Sequence, residues 1–208
     1  MQAPLFQDNP HELETIHLGA GQLRLQPQAF NPTEATDLMR TLLAEIPWRQ
    51  DSLWIAGREI PVPRLQCWMG DAGSLYGYSG MRLEPEPWID PVQRIRDRVQ
   101  ALSGLQFNSV LLNLYRDGQD SVAWHADDEA ELGRDPVIAS VSLGAVRSFQ
   151  MKHRHDKTIE KCRIELPHGS LLIMDKGIQN KWLHQIPKQK SITGPRINLT
   201  FRNIVGSR

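Results

Sequence analysis

The chain has 208 residues, a hydrophobic fraction of 40% and a charged fraction of 23%, which are typical of a globular protein and exclude a disordered or membrane-embedded chain. The 24 basic and 24 acidic residues cancel to a formal net charge of zero, and the two cysteines, Cys67 and Cys162, have the spacing of neither a metal finger nor a disulfide framework. Because the N-terminus lacks the basic and then apolar order of a secretion signal, we predict a single-domain, cytoplasmic protein without a membrane segment.

Two amphipathic helices are predicted in the first half of the chain. The segment "NPTEATDLMRTLLAEIP", residues 31–47, begins with Asn31 as an N-cap residue and Pro32 at the first helical position, and leucines recur on one face. The second helix begins at Asp90, repeats apolar residues at helical spacing and ends at Gly104. Each helix therefore has an apolar face that must pack on another element.

Short strands are predicted from Phe107 onward. Their sequences are rich in β-branched or aromatic residues and are separated by Gly, Pro, Asp and Asn: "SVLLNLY", "VIASVSL", "RSFQMKH", "CRIEL", "SLLIMD" and "RINLTFRNI". Helices followed by strands indicate an α+β fold that is mainly β, with the helices laid against a β-sandwich or jelly roll.

The charges are unevenly distributed although their sum is zero. No acid follows Asp175, whereas seven basic residues do: Lys176, Lys181, Lys188, Lys190, Arg196, Arg202 and Arg208. Such segregation can give a folded protein one positive face that attracts phosphates, although the pattern alone is more typical of scattered, solvated lysines.

A candidate metal site is divided between two distant segments. The stretch "WHADDE" contains His125 and Asp127, which point the same way in an extended segment, and His184 follows in the strand-like "KWLHQIPK". Two imidazoles and one carboxylate are the donors of the facial triad that binds Fe(II) and leaves three positions open. Read by itself, the first stretch is more typical of a solvated acidic loop, because a lone His-x-Asp is weak evidence for a metal site.

A candidate anion pocket lies on the last predicted strand. In "RINLTFR", alternation places Arg196, Asn198 and Arg202 on one face, and Asn113 and Tyr115 alternate likewise on "LLNLY". An arginine fork binds a carboxylate through two parallel hydrogen bonds, so this face suits a keto acid chelated by the iron. For a lone arginine, a surface ion pair is the alternative.

Taken in order, "NLYRDGQDSVAWHADDE", "IASVSLGAVRSF", "HGSLLIMD", "WLHQIP" and "PRINLTFR" resemble the AlkB family of iron(II)- and 2-oxoglutarate-dependent nucleic acid dealkylases, from about Arg64 to Asn203. The resemblance implies a double-stranded β-helix, or jelly roll, over residues 107–203 of a single 1–208 domain, with helical support and nucleotide-recognition segments in 1–106. It implies that the iron ligands are His125, Asp127 and His184. It also implies that 2-oxoglutarate contacts Asn113, Tyr115, Arg196, Asn198 and Arg202, with Arg196 pairing the distal carboxylate.

The same resemblance implies a nucleic acid substrate, DNA, with RNA as the alternative, and we expect the protein to be a monomer. Tyr78 in "SLYGYSG" is expected to stack on the flipped base, Tyr76 to lie near the phosphate, and Glu129 to face the base. Arg64 is also a candidate for substrate binding, and Arg147 matches a recurrent position without a defined role. Residues 54–64, "WIAGREIPVPR", resemble a hairpin that some duplex-acting members push into the base stack, but an aromatic is missing at the tip, which favours single strands.

Two other functions are compatible with parts of this pattern. One is a 2-oxoglutarate oxygenase that hydroxylates a protein side chain or a small molecule, because the iron and keto-acid residues are shared across substrates on this fold. The other is a binding module without chemistry, against which the complete set of predicted ligands argues. Tyr76, Tyr78, Glu129 and the acid-free tail favour oxidative removal of alkyl groups from bases.

Overall fold

Both predicted helices form where their capping signals place them. The computed structural model describes residues 13–19, 21–55, 57–74, 76–78 and 81–205. Helix α1 (Pro32–Glu45) begins after Asn31, whose side-chain oxygen accepts a hydrogen bond from the Glu34 amide at 3.0 Å. Helix α2 (Asp90–Ser103) ends at Gly104, which adopts the left-handed conformation that favours glycine. A third, short helix is α3 (Ile178–Lys181).

Strands account for most of the remaining regular structure. In chain order they are β1 (Glu14–His17), β2 (Gln22–Gln26), β3 (Ser52–Ile55), β4 (Arg58–Pro61), β5 (Leu65–Gly70), β6 (Tyr76–Tyr78), β7 (Met81–Leu83), β8 (Ser109–Tyr115), β9 (Val122–His125), β10 (Ile138–Gly144), β11 (Arg147–His153), β12 (Cys162–Leu166), β13 (Ser170–Met174), β14 (Trp182–Ile186) and β15 (Arg196–Arg202).

The strands form two antiparallel sheets that together make the predicted jelly roll. The larger sheet has the order β1-β2-β13-β10-β15-β8-β5, and the smaller has the order β12-β11-β14-β9. Two hairpins, β3-β4 and β6-β7, pair separately from both sheets. Since neighbouring strands within each sheet are often far apart in sequence, late strands lie beside early ones.

Alternation along the central strands separates the core from the site. On β15, Ile197, Leu199 and Phe201 pack in a hydrophobic cluster with α1 and α2, while the intervening residues face the other sheet. A second cluster between the sheets includes Phe149 and Trp182. Strands buried on both faces therefore have one apolar face for the helices and one polar face for the cavity.

The larger sheet extends beyond the predicted 107–203 region. Strands β1, β2 and β5 come from the first 106 residues, yet β2 pairs with β13 and β5 pairs with β8. The expectation of helical and recognition segments before residue 107 missed these three strands, because β2 and β5 pair with strands from the second half of the chain and β1 joins the sheet only through β2. No helix among the described residues is long and apolar enough to cross a membrane.

Candidate active site

Three polar side chains meet in a cavity between the two sheets. His125 ends β9, Asp127 follows it by two residues, and His184 occupies the middle of β14, opposite His125 in the strand register. The ligand atoms that these residues offer lie within 4.8 Å of one another. The Asp127 Oδ2 atom is 3.8 Å from His184 Nε2, and the two imidazole centres are 4.2 Å apart. The structure thus brings the three predicted metal ligands together.

The two histidines are held in a form that suits a metal. His125 Nδ1 lies 2.8 Å from the Ala123 carbonyl oxygen, which only accepts hydrogen bonds, so Nδ1 carries the proton and Nε2 is left for a metal. The His184 ring stacks on Phe149 with centres 5.3 Å apart. Burial, followed by the nearby His125, lowers the pKa of His184 to about 3, so this imidazole is neutral near pH 7.

Asp127 is buried and keeps its charge. Burial by itself raises the pKa of this carboxyl, but the charge of Arg202, the hydrogen bond from Arg202 and the electrostatic effect of the two neighbouring imidazoles outweigh burial and hold the pKa below its usual value. Arg202 Nη2 donates to Asp127 Oδ1 at 2.6 Å, and the Asp127 backbone amide donates to Gln179 Oε1 at 3.0 Å. Arg202 faces the cavity as expected, but its observed partner is the carboxylate of the metal loop.

The far end of the cavity contains an arginine with spare donors. Arg196 is only 1% exposed, and its Nη2 donates to Ser142 Oγ at 2.9 Å. Within the described part of the chain, its Nε and Nη1 atoms have no hydrogen-bond partner. Burial lowers the pKa of Arg196 to about 10, with Arg147 adding to the decrease and Tyr115 opposing it. The guanidinium therefore stays charged at neutral pH and has donors left for an anion.

The remaining predicted cofactor contacts line the same cavity. Asn198 lies opposite Asn113 in the register of β15 and β8, and Arg196 lies opposite Tyr115. Asn113 Oδ1 accepts hydrogen bonds from Arg64 Nε at 2.8 Å and from Gln66 Nε2 at 3.0 Å. Because the Asn113 oxygen is occupied, its amide nitrogen is the group available to a ligand.

These residues fit the two groups that the resemblance implies. Two imidazoles and a buried carboxylate are the donor set of a non-haem Fe(II) site. The unpartnered nitrogens of Arg196 support the second group, a carboxylate. A buried cation with free hydrogen-bond donors is energetically costly unless an anion binds to it. The cavity therefore has a place for a divalent metal at one end and for a carboxylate at the other.

The predicted base-contacting residues are less well defined than the metal and cofactor residues. Arg64 lines the cavity, where it bonds to Asn113 and, at 3.4 Å, to the Ser121 carbonyl. Glu129 is half-buried and precedes the short 3₁₀ turn Ala130–Leu132, and the cavity lining does not include it. Tyr76 and Tyr78 belong to β6, and their side chains lie outside what the structure describes.

Sequence reasoning missed two glutamines that hold site residues. Gln66 fixes the Asn113 amide, and Gln179 in α3 accepts from the Asp127 amide across 52 positions of the chain. Both are buried, at 4% and 0% exposure. Strand alternation gave a signal for Gln66, because it follows Arg64 by two residues, but Gln179 has no local pattern that indicates its partner.

Comparison with known proteins gives consistent matches. The sequence profile of the 2OG-Fe(II) oxygenase superfamily matches residues 22–202. The DNA oxidative demethylase ALKBH2 of Bos taurus is 40% identical over 185 residues, which are 85% of this chain and 66% of that protein. The alpha-ketoglutarate-dependent dioxygenase alkB homolog 3 of Homo sapiens is 39% identical over 202 residues, 93% of this chain and 70% of that protein.

A solved structure supports the fold independently of close sequence similarity. The structure of OsALKBH1 superposes with a TM-score of 0.59 at 18% identity and covers 91% of this chain and 100% of that one. At this identity the likeness concerns the fold alone. The chain spans about two thirds of the length of the curated relatives described above.

Proposed function

This chain belongs to the AlkB family of the 2OG-Fe(II) oxygenase superfamily, and on that premise we propose that it removes alkyl groups from DNA bases by oxidation. The observation that carries the proposal is the single cavity that has the three candidate ligands at one end and Arg196 at the other. Relatives named as DNA oxidative demethylases support DNA as the substrate.

Fe(II) and 2-oxoglutarate are the cofactor and co-substrate, and when bound they supply the oxidation of the alkyl carbon by dioxygen, with succinate, carbon dioxide and formaldehyde as products. In our proposal His125, Asp127 and His184 hold the iron, and Arg202 balances the charge of Asp127. Arg196 pairs with the distal carboxylate of 2-oxoglutarate, while the amide of Asn113 donates to the same molecule. Strands hold all of these residues except Asp127, which lies two residues after β9 and is fixed by Gln179 and Arg202, so the reacting groups are oriented before the base arrives.

The direct test is an assay on methylated oligonucleotides. Incubation with Fe(II), ascorbate, 2-oxoglutarate and air should reduce the mass of the strand by one methylene unit for each repaired base. Omitting 2-oxoglutarate, or excluding dioxygen, should abolish this change. Succinate formation without any change in the oligonucleotide would instead indicate an oxygenase that acts on another class of substrate.

Glu129 is proposed to select the charge of the lesion. Adenine methylated at N1 and cytosine methylated at N3 are cations at neutral pH, and a nearby carboxylate favours them over neutral bases. Glu129→Ala should reduce repair of these cationic lesions at least about fivefold more than repair of a neutral methylated base. Glu131→Ala, which removes a carboxylate from the same turn, is the matched control. Equal losses on both lesion types would show that Glu129 only organises the metal loop.

The hairpin β3-β4 leads us to propose that single-stranded DNA is preferred. Opening a duplex needs a bulky apolar wedge, and Ala56 at the predicted tip, which lies outside the described residues, is small. We expect faster initial rates on a methylated strand alone than on the same strand annealed, at equal salt because phosphate binding is salt-dependent. Ala56→Phe should narrow the difference.

One described residue of this hairpin offers an alternative wedge. Trp54 lies on β3 and is 75% exposed, an unusual state for so large an apolar side chain. If duplex repair proves equal or faster, Trp54→Ala should remove that advantage without slowing repair of the single strand. The same oligonucleotide pair made of RNA would test RNA, and light scattering would test our proposal that the protein acts as a monomer.

The exposed lysines of the acid-free tail are compatible with this proposal. Lys176, Lys181, Lys188 and Lys190 are all exposed, whereas Arg196 and Arg202 of the same segment are buried in the cavity. The tail therefore contributes both the inner cations proposed to hold the co-substrate and outer cations that are free to attract phosphates.

A further inference from the structure

A second arginine, Arg147, is buried beside the cavity at 1% exposure. Its guanidinium donates to three backbone carbonyls: Nη1 to Asp117 at 3.0 Å, and Nη2 to Asp120 and Pro187 at 2.8 Å each. Its Nε donates to the side chain of Gln189 at 3.3 Å. These partners belong to only two segments, 117–120 and 187–189, so one side chain connects two loops.

Both loops lead directly into strands that carry the site. Segment 117–120 joins β8 to β9, which ends in His125, and segment 187–189 follows β14 and precedes β15, which begins with Arg196. The loops also bond to each other, because the Gln189 amide donates to the Gly118 carbonyl at 2.8 Å. A side chain at Gly118 would meet the Gln189 carbonyl, so the close approach requires glycine.

The positive charge of Arg147 also lies close to the cavity. Its Cζ atom lies 5.4 Å from the centre of the Tyr115 ring, and the Cζ atom of Arg196 lies 5.2 Å from the same point. The two cations are therefore at most about 11 Å apart, the sum of these distances. In the part of the chain that the structure describes, neither makes a salt bridge.

Two acids, Asp120 and Asp117, lie near Arg147, and each has another partner. Tyr115, Asp120 and Asp117 all oppose the decrease that burial causes in the pKa of Arg147. However, the Asp120 carboxylate accepts two hydrogen bonds from the Arg116 guanidinium, at 2.8 and 2.9 Å, so Arg116 is its main counter-ion, and Asp117 Oδ1 accepts a hydrogen bond from the Gln119 amide at 2.7 Å. Two buried guanidiniums thus share one aromatic ring, and a dianion in the cavity would relieve the repulsion between them.

We propose that Arg147 is a positioning residue for 2-oxoglutarate, which acts through its charge and its contact with Tyr115 without touching the co-substrate. Arg147 does not line the cavity, which separates its role from that of Arg196. The proposal rests on the assignment of Arg196 and Tyr115 to 2-oxoglutarate made above. If Arg147 had a purely structural role and only connected two loops, replacing it would lower the stability of the protein but would not weaken the binding of a dicarboxylate more than that of a monocarboxylate.

The test compares two keto acids on the Fe(II)-loaded protein kept free of dioxygen. Calorimetric titration with 2-oxoglutarate, which has the distal carboxylate, is set against titration with pyruvate, which lacks it. Arg147→Met should raise the dissociation constant for 2-oxoglutarate about five- to tenfold, as expected for a charge about 10 Å away, and change that for pyruvate less than about twofold. In turnover, KM for 2-oxoglutarate should rise while kcat at saturation is kept.

Three further variants separate the effect of the Arg147 charge from the effect of its hydrogen bonds to the two loops. Arg147→Lys keeps the charge and should retain most of the discrimination between the two acids. Gln189→Ala removes the two hydrogen bonds that the Gln189 side chain accepts, from Arg147 Nε and from the Ser148 amide, without changing the charge, so it should lower Tm and leave both dissociation constants unchanged. Arg147→Gln is a second neutral variant that keeps donors for the carbonyls, in case Arg147→Met fails to fold.

Equal weakening of both acids by the neutral variants, or an effect of Gln189→Ala as large as theirs, would overturn the proposal. Arg196→Lys, measured in the same titration, distinguishes a failure of the 2-oxoglutarate pocket assignment from a failure of the proposed role of Arg147. If Arg196→Lys leaves 2-oxoglutarate binding unchanged, the assignment of the pocket fails. If Arg196→Lys weakens binding and the Arg147 variants do not, only the inference about Arg147 fails.

Discussion

Replacing Asp127 with Asn should lower iron-dependent turnover at least about a hundredfold while the protein stays folded. Asparagine has nearly the same shape, and its side-chain oxygen still accepts the hydrogen bond that Arg202 donates to Asp127 Oδ1. What the variant loses is the negative charge that we propose to bind Fe(II). Formaldehyde and succinate formation report turnover, and equilibrium dialysis of Fe(II) under argon reports metal binding without any reaction.

Asp128→Asn is the matched control for this experiment. It makes the same chemical change one residue further along, where the carboxylate pairs with Arg154 at 2.8 Å on a partly exposed surface. Surface pairs of this kind contribute about 0–1 kcal/mol, so stability and turnover should stay close to those of the wild type. Normal iron binding by Asp127→Asn would remove the facial triad from the proposed site.

Asp127→Ala would test a different property of the same residue. It leaves Arg202, which is 3% exposed, without its buried counter-ion. Removing one partner of a buried ion pair costs about 3–5 kcal/mol, so this variant should show a markedly lower Tm in addition to the loss of turnover. A difference in Tm between Asp127→Ala and Asp127→Asn would measure how much the Arg202 contact stabilises the barrel.

Replacing Arg196 with Lys should raise KM for 2-oxoglutarate roughly 10- to 100-fold, with a much smaller effect on kcat at saturation. Lysine keeps a positive charge but loses the planar fork, and each hydrogen bond to a charged group contributes about 1.5–3 kcal/mol. The free donors of Arg196, Nε and Nη1, are the ones that the distal carboxylate would use. Succinate release at a series of 2-oxoglutarate concentrations gives both constants.

The pH dependence of KM gives a second, independent test of whether the charge at position 196 binds the carboxylate. Arginine at position 196 stays protonated up to its lowered pKa of about 10, so KM of the wild type should not change through this group between pH 7 and 9. Lysine has an ordinary pKa of about 10.4, and burial should lower it towards that range. The variant's KM should therefore increase as pH rises, because deprotonation removes the charge that binds the carboxylate.

Arg163→Lys, at an exposed arginine that pairs with Glu165, should leave both the KM and its pH dependence unchanged. An unchanged KM in Arg196→Lys would mean that another cation holds the keto acid. A raised KM that does not vary with pH would show that the geometry of the fork, and not its charge, is what the lysine fails to replace.

Local patterns in the sequence were sufficient to predict α1 and α2, most of the strands after residue 107 and the face of the strand on which each site residue lies, but not α3. Side chains alternate in a strand whatever its neighbours are, so Arg196, Asn198 and Arg202 share a face of β15 by local geometry alone. In the same way, Asn31 and Gly104 mark helix ends through bonds or dihedral angles within a few residues. The motif order then indicated the AlkB family, and the superfamily profile over residues 22–202 together with the ALKBH2 and alkB homolog 3 relatives shows it.

Only the tertiary structure decided which of these groups meet. Arg202 pairs with Asp127, 75 positions away in the chain, and Gln179 accepts a hydrogen bond from the Asp127 amide. Arg147 connects two loops through backbone carbonyls, which any residue type could supply. The recruitment of β1, β2 and β5 to the larger sheet is of the same kind. Backbone amides and carbonyls are the same at every position, so their partners depend on which strands pair and in what register, and a one-residue shift would turn every side chain to the other face.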